Sequence, residues 1–198
     1  TLYGVANGDD PLTVVVPTFS TKSIEQNNPF ADQTNTLTVK LQSDTHTAPA
    51  GTIVTITGLA GSDTATNPAL TVSSAPASAL GSAGDWNIDG TLKLTVATGK
   101  TLNKGQAYTI TFSLANPSST LTSPTVNVTA TLTDGAATVG SVTQDAMSTP
   151  GGTLYGVANG DDPLTVVVPT FSTKSIEQNN PFADQTNTLT VKLQSDTH

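Results

Sequence analysis

Apolar and polar side chains alternate along much of the chain, which is the pattern of β-strands with one buried face. The alternation is clearest over residues 36–41, 54–57, 91–96, 108–114 and 126–133. Weaker strands are predicted at 70–73 and 138–142, and Asp89-Gly90 is a typical hairpin turn between 86–88 and the strand that follows. Threonine and valine are frequent, and both are β-branched, so no helix is predicted. The pattern therefore indicates an all-β chain.

The chain contains an exact internal repeat. Residues 153–198 copy residues 1–46 without a single difference, at an offset of 152 residues. Such identity indicates a window from a tandem array, although an engineered second copy added to complete a fold would give the same sequence. About eight strands in one period suit an antiparallel, immunoglobulin-like β-sandwich, here repeated in tandem.

Charge and composition exclude several classes of protein. The chain has 15 acidic and 7 basic residues, a net charge of -8 and no cysteine. The negative charge argues against nucleic-acid binding, and the lack of cysteine removes disulfides and thiolate sites. The chain contains no run of about 18 apolar residues, so no membrane span is predicted. Threonine occupies most of the outward positions of the alternating strands, and charged residues are scarce there. A surface of this kind predicts an extracellular or cell-surface location.

One N-glycosylation sequon occurs, Asn127-Val128-Thr129, and the strand alternation places Asn127 on the solvent side. A second triplet, which begins at Asn116, is blocked by Pro117. Together with the many threonines, the sequon predicts a glycoprotein that carries its sugars at Asn127.

Candidate catalytic groups are few, and none forms a known motif. His46 and its copy His198 are the only histidines, and no Gly-x-Ser-x-Gly turn accompanies them, so His46 is interpreted as a solvated loop residue. The carboxylate pairs Asp9–Asp10 and Asp85–Asp89 lack the aromatic-lined cleft of a glycosidase. The sequence predicts a protein that is not an enzyme, with no catalytic residue and no cofactor.

A weak metal hypothesis rests on residues 7–10, Asn-Gly-Asp-Asp, which cluster the oxygen ligands that calcium prefers. No EF-hand spacing or Gly-x-Asp repeat supports it. A solvated acidic turn is the preferred interpretation, so no metal site is predicted, and calcium near Asp9 and Asp10 stays an open alternative.

Short segments spread over one period form a more specific pattern. They are residues 17–26, 35–39, 56–59, 84–86 with 90–92, 107–108 and 113–118. Together they resemble a repeat module of very large extracellular surface and filament proteins of algae and other protists, such as sheaths and flagellar hairs (mastigonemes). The resemblance implies a complete module at 17–168, the end of a preceding module at 1–16 and the start of the next at 169–198. It implies no catalytic residues.

The apolar run before each module start is the candidate linking strand. It contains Leu12, Val14 and Val16 in the first copy and Leu164, Val166 and Val168 in the second. Because the run is apolar on both faces, we expect it to pair with a sheet of the neighbouring unit by strand addition. The proline that follows each copy limits bending at the junction.

These observations predict a structural tandem-repeat protein that builds an extracellular filament or surface coat from head-to-tail β-sandwich modules. Its expected partners are neighbouring repeats, other copies of itself and glycans, with no nucleic acid and no membrane span. Two alternatives remain: the stalk of an adhesin that presents a binding head, and a pilin-like subunit completed by a donor strand.

Overall fold

The computed structural model describes residues 1–196, and it is all-β and antiparallel, with no helix in that range. Eleven strands follow in chain order: β1 Thr21–Gln26, β2 Thr34–Gln42, β3 Ile53–Thr57, β4 Asn67–Ala75, β5 Ala83–Asn87, β6 Thr91–Thr95, β7 Tyr108–Ala115, β8 Asn127–Asp134, β9 Ala137–Ala146, β10 Phe171–Gln178 and β11 Leu189–Ser195. None of the described residues forms a helix able to cross a lipid bilayer.

Strands β1 to β9 form one sheet in the order β1-β2-β7-β4-β5-β6-β3-β8-β9, and every neighbouring pair is antiparallel. The two edges of this sheet approach each other. Ser148, just after β9, bridges Ser23 in β1, and its carbonyl accepts a hydrogen bond from Ile24 N at 3.0 Å. The sheet therefore almost closes on itself around a single core.

Strand β4 joins two groups of strands within that sheet. Its first part, from Asn67 to Thr71, pairs with β5, whereas its second part, from Val72 to Ala75, pairs with β7. One group is thus β1-β2-β7 and the other is β5-β6-β3-β8-β9.

The inward positions of the alternating strands make the core. In β2 the side chains of Leu37, Val39 and Leu41 are buried, while Lys40 between them faces solvent. Trp86 of β5 is fully buried, and its Nε1 donates to Thr64 O at 3.0 Å, which satisfies its only polar atom. The period-2 pattern of the sequence is therefore the burial pattern of the sheet.

The predicted hairpin at residues 86–96 is confirmed. Asp89 Oδ1 accepts a hydrogen bond from Thr91 N at 2.9 Å, and Gly90 has a φ of 90°. A Cβ at residue 90 would lie 2.3 Å from Ala60 N, so only glycine fits this turn. The two weaker strand predictions are also confirmed, as β4 and β9, and both strands are longer than predicted.

Two expectations about strands are wrong. Strand β1 was not expected from the pattern, because Ile24 is its only apolar residue and the second buried position is Gln26. The run Leu12–Val16 was expected to be a strand, yet it has no regular strand structure. Leu12 has a φ of 64°, a left-handed conformation that a strand cannot contain.

Candidate inter-repeat interface

The two copies of the sequence preceding each proline, residues 1–16 and 153–168, are called here the N-terminal and C-terminal linking segments. Both have the same backbone turns. The φ angle is 50° at Tyr3 and at Tyr155, and 54° at Asn7 and its copy. The same turn hydrogen bonds recur, such as Val5 N to Leu2 O and Val157 N to Leu154 O, both at 2.9 Å. Each linking segment therefore has a conformation set by its own sequence.

The C-terminal linking segment lies in a groove of the central unit, residues 17–148. The groove is formed by Gln26 at the end of β1, residues 29–31 of the following loop, and residues 121–123 between β7 and β8. Val166 and Leu121 exchange backbone hydrogen bonds of 2.8 and 2.9 Å. Backbone pairing thus joins the C-terminal linking segment to the central unit.

Further backbone bonds hold the segment on its other side. Val167 N donates to Pro29 O at 2.8 Å, and Ala31 N donates to Val167 O at 3.0 Å. The segment therefore bridges two loops that belong to different parts of the central unit, in the manner of an added strand.

The buried Gln26 side chain uses both ends of its amide on this segment. Its Nε2 donates to Gly160 O at 2.9 Å and to Thr165 O at 2.8 Å. Its Oε1 accepts from Leu164 N at 2.7 Å and from Asn35 Nδ2 at 2.7 Å. Because buried polar groups are costly when unpaired, this amide is matched to one register of the segment.

Two more buried amides support Gln26. Asn35 donates to Asn116 Oδ1 at 2.9 Å, and Asn116 Nδ2 donates at 2.9 Å to the backbone oxygens of Asn28 and Phe30. The network holds the loop that forms one wall of the groove.

Apolar contacts complete the interface. Leu164 is 0% exposed and Val166 is 1% exposed, and the Tyr155 ring lies 5.8 Å from the Phe30 ring between centroids. Burial of a leucine or valine side chain contributes about 1.5–3 kcal/mol. The segment is therefore part of the folded core of the unit that precedes it.

The N-terminal linking segment makes different contacts, at its opposite end. Tyr3 OH donates to Asp134 Oδ2 at 3.0 Å, and Tyr3 O accepts from Thr47 N at 2.7 Å. The hydrogen bond to Asp134 raises the pKa of the Tyr3 phenol, because the neutral phenol is the donor. Leu12 is 96% exposed and Val14 is 83% exposed. Through Tyr3, the N-terminal linking segment thus contacts the unit that follows it in the chain.

The predicted linking residues behave differently in the two copies. Leu164 and Val166 enter the groove, whereas Val168 lies at the surface, and Leu12, Val14 and Val16 are all exposed. The contact is made by isolated bridges at Val166 and Val167 rather than by a regular strand. Their role in linking repeats stays a prediction.

The other predicted site residues are separate from this groove. Asn127 is half-buried at the start of β8, on the outward side of the alternation, since its neighbour Val128 is fully buried. Use of Asn127 as a glycosylation site stays a prediction.

The expectation of a solvated His46 is wrong, because the ring is buried and lies 6.2 Å from the Phe19 ring between centroids. Burial lowers the pKa of His46 and favours the neutral ring. Ser43 Oγ accepts from the backbone N–H of Thr45 and of His46, so its own hydrogen is available for His46 Nδ1 at 2.8 Å. These hydrogen bonds between Ser43 and His46 stabilise the turn over residues 43–46. His198 lies outside the described residues.

The acidic pairs also have local structural partners. Asp161 Oδ1 and Asp162 Oδ1 accept from Gly152 N and Gly151 N, both at 2.7 Å, and so hold the approach to the linking segment. Within residues 1–196, no group of three His, Cys, Asp or Glu side chains is placed to hold a metal ion.

Sequence reasoning missed Gln26, Asn35 and Asn116, which shape the groove. A signal for Gln26 exists, because it lies two positions after Ile24 and therefore on the same face of a strand. The same spacing applies to the two asparagines. Asn35 lies two positions before the buried Leu37 of β2, and Asn116 lies two positions after the buried Leu114 of β7.

No family model matches this chain, and no curated protein matches it. Among solved structures, one that is similar is described as AvmM, which catalyses macrocyclization in alchivemycin A biosynthesis. It is 12% identical, with a TM-score of 0.36, and the match covers 64% of this chain and 87% of that chain. A likeness of this size carries no argument about function.

Proposed function

We propose that the chain is a structural tandem-repeat protein whose β-sandwich modules join head to tail in an extracellular filament or surface coat. The observation that carries this proposal is the position of the C-terminal linking segment. By sequence it matches the start of the chain, yet Leu164 and Val166 complete the core of the preceding unit. Because Val168 leads directly into the next module, the seating of this segment in the groove fixes the point from which the next module begins.

The fold supports this proposal in its finer form. Strand β4 pairs with β5 over its first part and with β7 over its second, which suits two facing layers of an immunoglobulin-like sandwich. A module that runs from Pro17 to Val168 contains both layers and the segment that fills the groove. Residues 169–196 then begin the next module, with β10 and β11 as copies of β1 and β2.

The surface favours a structural, extracellular role over catalysis. Outward positions of β2 and β7 carry threonine and serine, and Thr36 Oγ1 lies 3.1 Å from Ser113 Oγ across the two strands. In the buried Ser43–His46 pair, Ser43 Oγ and His46 Nδ1 are hydrogen-bonded within a turn, which favours a structural role for the pair. Asn127 is the proposed site of sugar attachment.

Immunogold electron microscopy of the source cells tests the proposal, with an antibody raised against residues 17–168. We expect label along extracellular filaments or a surface coat. Label confined to the cell interior would contradict the proposal. Thin single strands that end in a distinct head would instead favour the adhesin-stalk alternative.

A second experiment addresses the coupling within an array. In the native repeats, the positions of Val14 and Val16 are also those of Val166 and Val168. Aspartate at these positions should remove filaments, because it introduces charge at the groove. Filaments of normal appearance after this change would contradict head-to-tail coupling by the linking segment.

A further inference from the structure

The N-terminal linking segment has an uncovered apolar surface next to an ordered contact. Leu12, Val14 and Val16 are exposed, while Tyr3 is held on the central unit through Asp134 and Thr47. These three residues correspond to Leu164, Val166 and Val168 of the other copy. The structure therefore contains a free example of a segment whose bound form it also contains.

We propose that residues 1–16 are a docking surface for a second copy of the central unit. The occupant follows from the bound copy, because the groove at Gln26 and Leu121 already holds an identical sequence. In the complex, Leu12 would take the position of Leu164, and Val14 that of Val166. This inference rests on the proposed coupling of repeats and identifies its partner as another module of the same sequence.

The two contacts of a linking segment overlap at the tyrosine and otherwise use different residues. The bound copy uses residues 160–167 and the Tyr155 ring for the groove, whereas the free copy uses Tyr3 and Gly4 for the unit that follows. A Cβ at Gly4 would lie 2.5 Å from Thr47 Oγ1, which shows how closely that end is seated. The groove contact through residues 160–167 and the Gly4 contact therefore lie at opposite ends of the segment, and the tyrosine is the position that both contacts use.

Docking requires little rearrangement of the free segment. Its turns already match those of the bound copy, with φ of 64° at Leu12 and 56° at Leu164, and with the same hydrogen bond from residue 10 to residue 7 as from 162 to 159, both at 3.0 Å. A segment that is ordered before binding loses less conformational entropy on association. The occupant is thus preformed.

The test uses the full chain and two matched pairs of substitutions. Leu164→Asp with Val166→Asp should expel the resident segment, since an unpaired buried carboxylate is strongly disfavoured. The vacated groove then accepts residues 1–16 of another molecule. Light scattering after size-exclusion chromatography should show an average mass that rises with concentration.

The control introduces Leu12→Asp and Val14→Asp, which are the same changes in the identical sequence of the first copy. This pair alone should leave the mass of the wild-type chain unchanged. Added to Leu164→Asp and Val166→Asp, it should abolish the association. Equal association with and without Leu12→Asp and Val14→Asp, or no association of the Leu164→Asp, Val166→Asp chain, would overturn the proposal.

A peptide experiment covers the case in which the Leu164→Asp, Val166→Asp chain unfolds. A synthetic peptide with the sequence of residues 1–16 should raise the Tm of that chain in a concentration-dependent way, because it binds the folded state only. A peptide with aspartate at positions 12 and 14 should not. No rise with the native peptide overturns the docking proposal, whereas the extracellular role is tested separately by the microscopy.

Discussion

The hairpins β1–β2 and β10–β11 have one sequence and two environments. Both have the same register, with Ile24 opposite Val39 and Ile176 opposite Val191. Both also have the same cross-strand ion pair, at 3.2 Å from lysine Nζ to glutamate Oε1. Burial differs completely, since Ile24 is 0% exposed and Ile176 is 65% exposed. Local sequence sets the strand pairing, and the rest of the module sets the burial.

The linking segments extend the same contrast to irregular structure. Their turns are alike, but the groove covers Leu164 and leaves its copy Leu12 in solvent. Each position in residues 1–44 therefore has an internal control in which the local sequence is constant and the tertiary contacts change. Paired substitutions can measure the tertiary contribution directly.

The largest difference is expected for Leu164→Ala against Leu12→Ala. Loss of the buried side chain should lower the free energy of unfolding by about 2–5 kcal/mol. The exposed copy should change it by less than about 0.5 kcal/mol. Urea denaturation followed by tryptophan fluorescence of Trp86 measures both. Similar effects of the two substitutions would contradict the groove contact.

A smaller difference is expected for Gln26→Ala against Gln178→Ala. The first removes the partner of Leu164 N and Asn35 Nδ2 inside the core, at a cost of about 1–3 kcal/mol. The second affects an exposed amide whose Oε1 accepts from Asn187 Nδ2 at 2.9 Å. The same denaturation curves compare them, and a neutral Gln26→Ala would show that the amide network does not stabilise the interface.

The smallest effect concerns the contact of Tyr3 with the following unit. Asp134→Asn should lower the pKa of Tyr3 toward its ordinary value, because the carboxylate that accepts the phenol hydrogen bond raises it. Phenolate absorbance, taken as the difference from the matching Tyr3→Phe protein, follows this titration as pH rises. Tyr155→Phe serves as control and should leave the Asp134-dependent difference unchanged.

The sequence predicts the strands well where apolar residues alternate, as in β2, β6, β7 and β8. It does not predict β1, because Gln26 provides one of its two buried positions and an amide is an ordinary surface residue by type. The burial of His46 was missed for the same reason, since the Ser43 turn and Phe19 that cover it come together only in the fold.

The groove itself could be predicted only in part. The apolar character of Leu164 and Val166 indicates that they need a covering surface, and their place beside the repeat boundary indicates a neighbouring unit. The left-handed backbone conformation at Leu164 and the positions of the groove loops could not be predicted. Both depend on contacts between residues more than a hundred positions apart, such as Gln26 with Leu164.

The buried amide of Gln26 has a consequence for the fidelity of a repetitive chain. A linking segment shifted along its groove would place different backbone groups against the same side chains. An amide can donate only through nitrogen and accept only through oxygen, and here both ends meet backbone groups at fixed places along the segment. A shift that brought Pro163, which has no N–H, to the place of Leu164 would leave Gln26 Oε1 without that donor, so Gln26 favours one register of the linking segment.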